Sequence, residues 1–183
     1  MLSSYKLLPV IGLFSVILCS CGEPKKQETP PVYNHTKVKQ QFIKANQQVV
    51  VKENDEMDYY QKSHQLAFTK TTAGIRYYVY KPSLKGDSIK DGSVIKINYT
   101  LSLLDGTVCY SSEKDGAKEF KVGMDDLEDG LHKAVLHLKN GDKALIMIPS
   151  HLAHGLLGDS KKIPPQSPIL YDIEVLSVKP AQN

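Results

Sequence analysis

"VIKINYTLSLLDGTVCYSS", residues 94–112, is the stretch whose reading decides the fold. Ile95, Ile97, Tyr99, Leu101 and Leu103 alternate with Lys96, Asn98, Thr100 and Ser102. Successive side chains of a strand point to opposite faces, so this pattern predicts a strand with one face buried. Asp105-Gly106 then turns the chain back through Thr107 to Tyr110. A one-faced antiparallel hairpin needs further strands beside it and something apolar laid across its inner face.

The rest of the chain offers both. "GIRYYVY" (74–80) alternates Ile75, Tyr77 and Val79 against Arg76, Tyr78 and Tyr80. "EFKV" (119–122) and "KALIMIP" (143–149) read as shorter strands, and "ILYDIEVLSV" (169–178) places Ile169, Tyr171, Ile173 and Val175 on one face. Between Leu127 and Leu138 the period changes. Leu131, Ala134, Val135 and Leu138 fall at helical spacing, and Asn140-Gly141 closes the segment. The expected architecture is α+β: a twisted antiparallel sheet wrapped on one short helix, with a long loop, "SHLAHGLLGDSKKIPPQS" (150–167), at one end.

Upstream of this domain (69–179, followed by a tail at 180–183) the chain has three regions. Residues 1–20 hold Lys6 and then the apolar run "LLPVIGLFSVILCS", short for a membrane span but the length of a signal-peptide core. It ends in Leu18, Ser20 and Cys21, which resembles the lipobox of bacterial lipoproteins, although Cys19 stands where a small non-cysteine residue is usual. Cys21 is therefore expected to carry lipid, and a bacterial cell envelope follows, with the periplasmic side of the outer membrane as the expected location. Residues 21–36, "CGEPKKQETPPVYNHT", read as a polar, proline-containing tether. Residues 37–68 lack Gly and Pro and are rich in Gln, Lys and Glu. Phe42, Ala45 and Val49, and again Met57, Tyr60 and His64, suggest one or two amphipathic helices. That arm either packs on its own domain or serves for dimerisation or partner docking.

Ordinary catalysts are poorly represented. Once Cys19 and Cys21 are set aside, Cys109 has no partner for an intrachain disulfide. It would lie mid-strand with nothing to depress its pKa, which favours a buried structural thiol over a nucleophile. His132, His137, His151 and His154 lack zinc-site spacing. "NHT" at 34 and "NYT" at 98 match the glycosylation sequon, weakened by a bacterial signal. The formal charge of +3 is scattered, so a nucleic-acid partner is not expected. What remains is a set of apolar residues that the topology aims at one place.

"GSVIKINYTLSLLDGTV", "EFKVG", "LEDGLHKAVLHLKNGDKALIMIPSHLAHG" and "IPPQSPILYDIEVLSV" resemble, in order and spacing, the FKBP-type peptidyl-prolyl isomerases. With the signal, tether and arm, "LLDGTVCYSS" and "PSHLAHGLLGD" are similar to a narrower group, the gliding-motility-associated FKBP lipoproteins of Bacteroidetes. The resemblance implies a half-barrel sheet curled round its helix, with a proline pocket between the two. It implies as pocket residues Tyr99, Phe120, Leu127, Glu128, Leu131, His154, Ile163 and Tyr171, with Cys109 and Tyr110 on the rim. Leu131 stands where many members have a tryptophan floor. His154 takes the place of a tyrosine that bonds the substrate carbonyl. Glu128 replaces an apolar residue whose backbone N–H is the usual contact. Cys109-Tyr110 replaces a Phe-Asp pair.

The implied activity is rotation of X–Pro bonds in polypeptide clients, assisting the folding of envelope or secreted proteins, with no cofactor. Two other readings stay open: a weak or inactive proline-binding or chaperone module, and a structural lipoprotein working through its arm.

Overall fold

The computed structural model describes residues 35–181, so Cys21, the signal segment and most of the tether lie outside the described residues. The described part opens with one long helix, α1 (His35–Ser63), and continues as a seven-stranded antiparallel sheet. Its strands are β1 (Thr69–Lys70), β2 (Arg76–Lys81), β3 (Val94–Leu103), β4 (Val108–Ser111), β5 (Lys118–Lys121), β6 (Lys143–Ile148) and β7 (Ile169–Lys179). Two short helices interrupt them, α2 (Ser112–Asp115) and α3 (Asp129–Val135), and a 3-10 turn spans Ser150–Leu152.

The strand order is β1-β2-β6-β7-β3-β4, and β5 also pairs with β3. β3 and β7 run the length of the sheet together, from Val94 opposite Lys179 to Leu103 opposite Ile169. The alternation in β3 lands as expected: Ile95, Ile97, Tyr99 and Leu101 are buried, as are Ile169, Tyr171, Ile173 and Val175 of β7. They meet Leu131, Ala134, Val135 and Leu138, the helical stripe of α3 and the turn after it, in one core. Gly130 lets α3 come this close. A Cβ there would lie 2.2 Å from Ile148 Cγ2 and 2.9 Å from the Leu152 carbonyl oxygen.

β4 and β5 share one edge of β3. β4 pairs from Thr100 to Ser102 and β5 from Val94 to Ile97, with α2 bridging between them. The ladder gap falls at Tyr99, and Ser112 fills it. The Tyr99 N–H donates to Ser112 Oγ at 3.1 Å, and that hydroxyl is 3.3 Å from the Tyr99 carbonyl. One serine of the "YSS" run is thus a surrogate for a missing strand residue, and it holds the backbone under a pocket side chain.

The outer face of the sheet departs from the one-faced expectation. Arg76, on the polar side of the β2 alternation, is 0% exposed. It is covered by α1: Arg76 Nη1 lies 2.8 Å from Asp58 Oδ1, and Nη2 donates to the Asn54 carbonyl at 3.1 Å. Met57 of α1 packs with Met147 and Leu170, which point outward from β6 and β7. Met57 and Tyr60 of the second stripe therefore pack on the domain, while His64 is exposed. The Phe42 stripe does not pack there, since Phe42 and Ala45 are exposed.

α1 stops at Ser63, short of Phe68. Gln65 has φ 55°, the Leu66 N–H bonds the Gln61 carbonyl at 2.9 Å, and the Gln65 N–H bonds the Lys62 carbonyl at 3.2 Å. That is a Schellman closure built on a non-glycine residue. Among the described residues, no helix is long and apolar enough to cross a membrane.

Candidate active site

The inner ends of β3, β4 and β7, the start of α3 and the 150–167 loop enclose a cavity of about 440 Å³. Tyr99 and Tyr171 form its aromatic wall, with ring centroids 6.0 Å apart and tilted by 55°. Burial pushes the pKa of both hydroxyls up, with Glu128 adding to it, so both stay neutral at physiological pH. Beneath the cavity, Phe120, Leu131, Cys109 and Ile163 are buried in the core rather than open to the cavity, and Leu127 is half-buried against that core. Phe120 is backed edge-on by His132, ring centroids 5.5 Å apart. His132 is itself pinned: its Nδ1 accepts the Gly123 N–H at 2.9 Å and its Nε2 lies 2.9 Å from the Asp125 carbonyl. It is therefore the Nε2-protonated tautomer and serves the loop before α3.

Glu128, expected to contribute through its backbone, brings its carboxylate into the pocket. Oε1 accepts the Tyr171 hydroxyl at 3.1 Å and lies 3.1 Å from His154 Nε2. The His154 contact has ion-pair distance but not hydrogen-bond alignment, and Glu128 Oε2 is buried with no partner. The pocket thus holds an aromatic wall with one carboxylate oxygen free to accept a donor.

Tyr110 sits on the rim, whereas Cys109, expected there too, lies in the core beneath the cavity because its side chain points to the buried face of β4. Burial pushes the Cys109 thiol up, helped by the Asp159 carboxylate, so it is protonated and inert as a nucleophile. The Tyr110 hydroxyl donates a short hydrogen bond to Asp159 Oδ2, which pushes Tyr110 up to about 12. Asp159 also accepts the N–H groups of Lys161, Lys162 and Ile163, each on Oδ1 at 2.8–2.9 Å. Burial opposes its ionisation, but the bonds from Tyr110 and from the three backbone donors outweigh it and hold the carboxyl well below the usual range. Lys162 completes the seam: its Nζ donates to the Cys109 carbonyl at 2.6 Å and lies 4.6 Å from the centroid of the Tyr110 ring.

The residues expected from the sequence divide accordingly. Tyr99, Tyr110, Glu128, His154 and Tyr171 line the cavity together, while Leu127, Phe120, Leu131, Cys109 and Ile163 support it. Asp159 was not expected, and neither were Leu101, Asp115, Lys118 and Lys161. A usable signal for Asp159 lies in "GDSKK". An Asx-type Asp followed by residues whose N–H groups fold onto it marks a tight loop. Gly158, at φ 68°, lets that loop double back, since a Cβ there would fall 2.1 Å from the Ile163 carbonyl oxygen.

The comparisons with known proteins agree with this geometry. Residues 86–176 match the family model for FKBP-type peptidyl-prolyl cis-trans isomerases. FK506-binding protein 2 of Dictyostelium discoideum is 34% identical over 100 residues, covering 54% of this chain and 75% of that protein. This chain belongs to the FKBP-type peptidyl-prolyl isomerase family. A probable FKBP-type isomerase of Haemophilus influenzae is 35% identical over 111 residues, 61% of this chain but 46% of the relative, so the FKBP chain spans under half of that protein's length. The crystal structure of FkpA from Escherichia coli is similar over 82% of this FKBP and 76% of that chain, with 26% identity and a TM-score of 0.61.

Acid titration of stability checks the Asp159 geometry in this FKBP. The folded pKa of Asp159 lies below its unfolded value, about 4. Its contribution is therefore complete above that value and is lost as pH falls through the folded one. Asp159→Asn is expected to lower stability at neutral pH by about 1 kcal/mol or more and to flatten the acid limb of a melting-temperature profile. Parallel acid limbs in the two proteins would show that Tyr110 and the loop amides do not hold the carboxylate. Tyr110 has the opposite sign: its raised pKa makes its share present below about 10 and lost as pH climbs towards about 12.

Proposed function

We propose that the chain catalyses cis-trans rotation about X–Pro bonds. The observation that carries this is the cavity of about 440 Å³ walled by Tyr99 and Tyr171 over a buried Phe120–Leu131 floor. The barrier to rotation about a peptide bond is about 18–20 kcal/mol, set by amide resonance. The twisted amide has less charge separation than the planar one, so an apolar, water-poor wall favours it. No nucleophile, proton transfer or cofactor enters this step. The proline ring packs against the aromatic wall. Glu128 and His154 line the pocket side by side. The family's strand aspartate is absent, but Tyr110 presents a hydroxyl already bonded to Asp159. The carboxylate thus reaches the rim from the facing loop.

That same replacement supports a second reading, a proline-binding or chaperone module with weak or no turnover. The rate of X–Pro rotation in a peptide, measured with and without the chain, separates them. An unaccelerated rate with measurable peptide binding would leave only the second.

The finer placement rests on sequence: a lipid on Cys21, tethering to the periplasmic side of the outer membrane, and kinship with gliding-motility lipoproteins. "VILCSC" ahead of a proline-containing tether supports it. Fatty-acid-analogue labelling in cells is expected to be lost in Cys21→Ala, and equal labelling of that variant would refute anchoring there. The exposed Phe42, Ile43, Val50 and Val51 of α1 support self-association through the arm. A monomeric mass by sedimentation at micromolar concentration would refute it.

A further inference from the structure

Glu53 sits on α1, outside the sheet-and-helix domain that forms the pocket, yet it is 1% exposed. It does not pair with the arginine that anchors the helix. Its carboxylate turns instead to Ser150: Oε2 accepts the Ser150 N–H at 2.9 Å, and Oε1 accepts the Ser150 hydroxyl in a shorter bond. Ser150 is also buried and is the first residue of the turn that follows β6 and Pro149. Its own carbonyl accepts the Ala153 N–H at 2.9 Å and the Gly155 N–H at 2.8 Å, the two residues that flank His154. The Gly155 carbonyl then receives the Gln166 N–H at 3.0 Å, which ties in the loop behind Ile163.

A carboxylate of the arm therefore fixes both donors of the residue from which the His154 segment hangs. The rest of the helix contact is independent of it. Met57 packs on Met147 and Leu170, and Asp58 and Asn54 hold Arg76. A buried charge is stabilised only by donors that satisfy it, and here every donor supplied belongs to the segment that enters the pocket. If the role were only to dock the helix, the carboxylate would serve as well on Arg76.

We infer that Glu53 is a positioning residue for the proline site: through Ser150 it sets where His154 stands over the pocket, so that the helical arm and the site are energetically coupled. This rests on the isomerase reading for its kinetic consequence, but the placement of His154 can be observed without turnover. Glu53→Gln keeps the size of the side chain but offers one acceptor oxygen in place of two, so one Ser150 donor is left without a partner. Ser150→Ala removes only the hydroxyl. Asp58→Asn is the control, weakening the Arg76 contact while leaving Ser150 untouched.

The full-length chain carrying each substitution would be followed by the ring signals of His154 in NMR and by kcat and KM for an X–Pro peptide. Glu53→Gln is expected to shift the His154 signals and to raise KM roughly three- to tenfold at a smaller change in kcat, with Ser150→Ala in the same direction and smaller. Asp58→Asn is expected to lower the melting temperature and leave both readouts at wild-type values. Unmoved His154 signals in Glu53→Gln would overturn the inference, as would equal KM changes in Glu53→Gln and Asp58→Asn. A wild-type chain without turnover would contradict the isomerase reading alone, because the His154 signals would still decide the positioning.

Discussion

Tyr171→Ala is expected to destabilise the domain by about 3–5 kcal/mol, the usual cost of deleting a fully buried aromatic ring. The ring is 1% exposed and sits in β7 opposite Leu101 of β3 and Ile146 of β6, so its loss opens the centre of the sheet. It also takes from Glu128 the hydroxyl that satisfies Oε1, which leaves a buried carboxylate beside an unaligned His154. Tyr171→Phe isolates that second contribution and should cost about 1–3 kcal/mol, the penalty for an orphaned buried acceptor. Denaturant unfolding at neutral pH measures both. A Tyr171→Ala loss below about 1 kcal/mol would mean that the ring is not part of the packed core.

Tyr99→Ala should lower stability too, since Tyr99 belongs to the same core, but its distinctive effect is on catalysis. Tyr99 is 7% exposed and opens on the cavity, with its backbone held by Ser112 independently of its side chain. Truncation removes one half of the aromatic wall and admits water beside the rotating bond. The expected result is a fall in kcat/KM for an X–Pro peptide of roughly tenfold or more, equivalent to about 1.4 kcal/mol in the barrier. Circular dichroism should show the sheet retained. Unchanged kcat/KM in a folded variant would place the proline elsewhere, for instance in the larger cleft of about 1080 Å³ between α1, Leu103–Asp105 and Pro168.

Much of this site is written in local patterns. The alternation of β3 and the helical stripe of α3 put Tyr99, Tyr171 and Leu131 together, because a period of two and a period of 3.6 each bury one face. What the sequence conceals is contact between distant segments. Arg76 reads as a solvent-facing residue because its cover, Asn54 and Asp58, belongs to a helix with no sequence link to β2. Asp159 reads as part of a polar loop, and only the fold brings it to Tyr110. The end of α1 is hidden for a local reason. Gln65 occupies the left-handed position where glycine would have announced the boundary. Glu128 was legible as a position, but its carboxylate acquired meaning only with Tyr171 in place across the pocket.

The most direct test of the proposed chemistry is the rate constant for cis-to-trans conversion of an X–Pro peptide at fixed temperature, with increasing wild-type chain and with Tyr99→Ala in parallel. Uncatalysed conversion takes on the order of tens of seconds at 25 °C, slow enough for catalysis to be seen. A rate that rises linearly with the wild-type chain, and much less with Tyr99→Ala, is the predicted result. A rate that stays at the uncatalysed value across the whole series would contradict catalysis by this pocket.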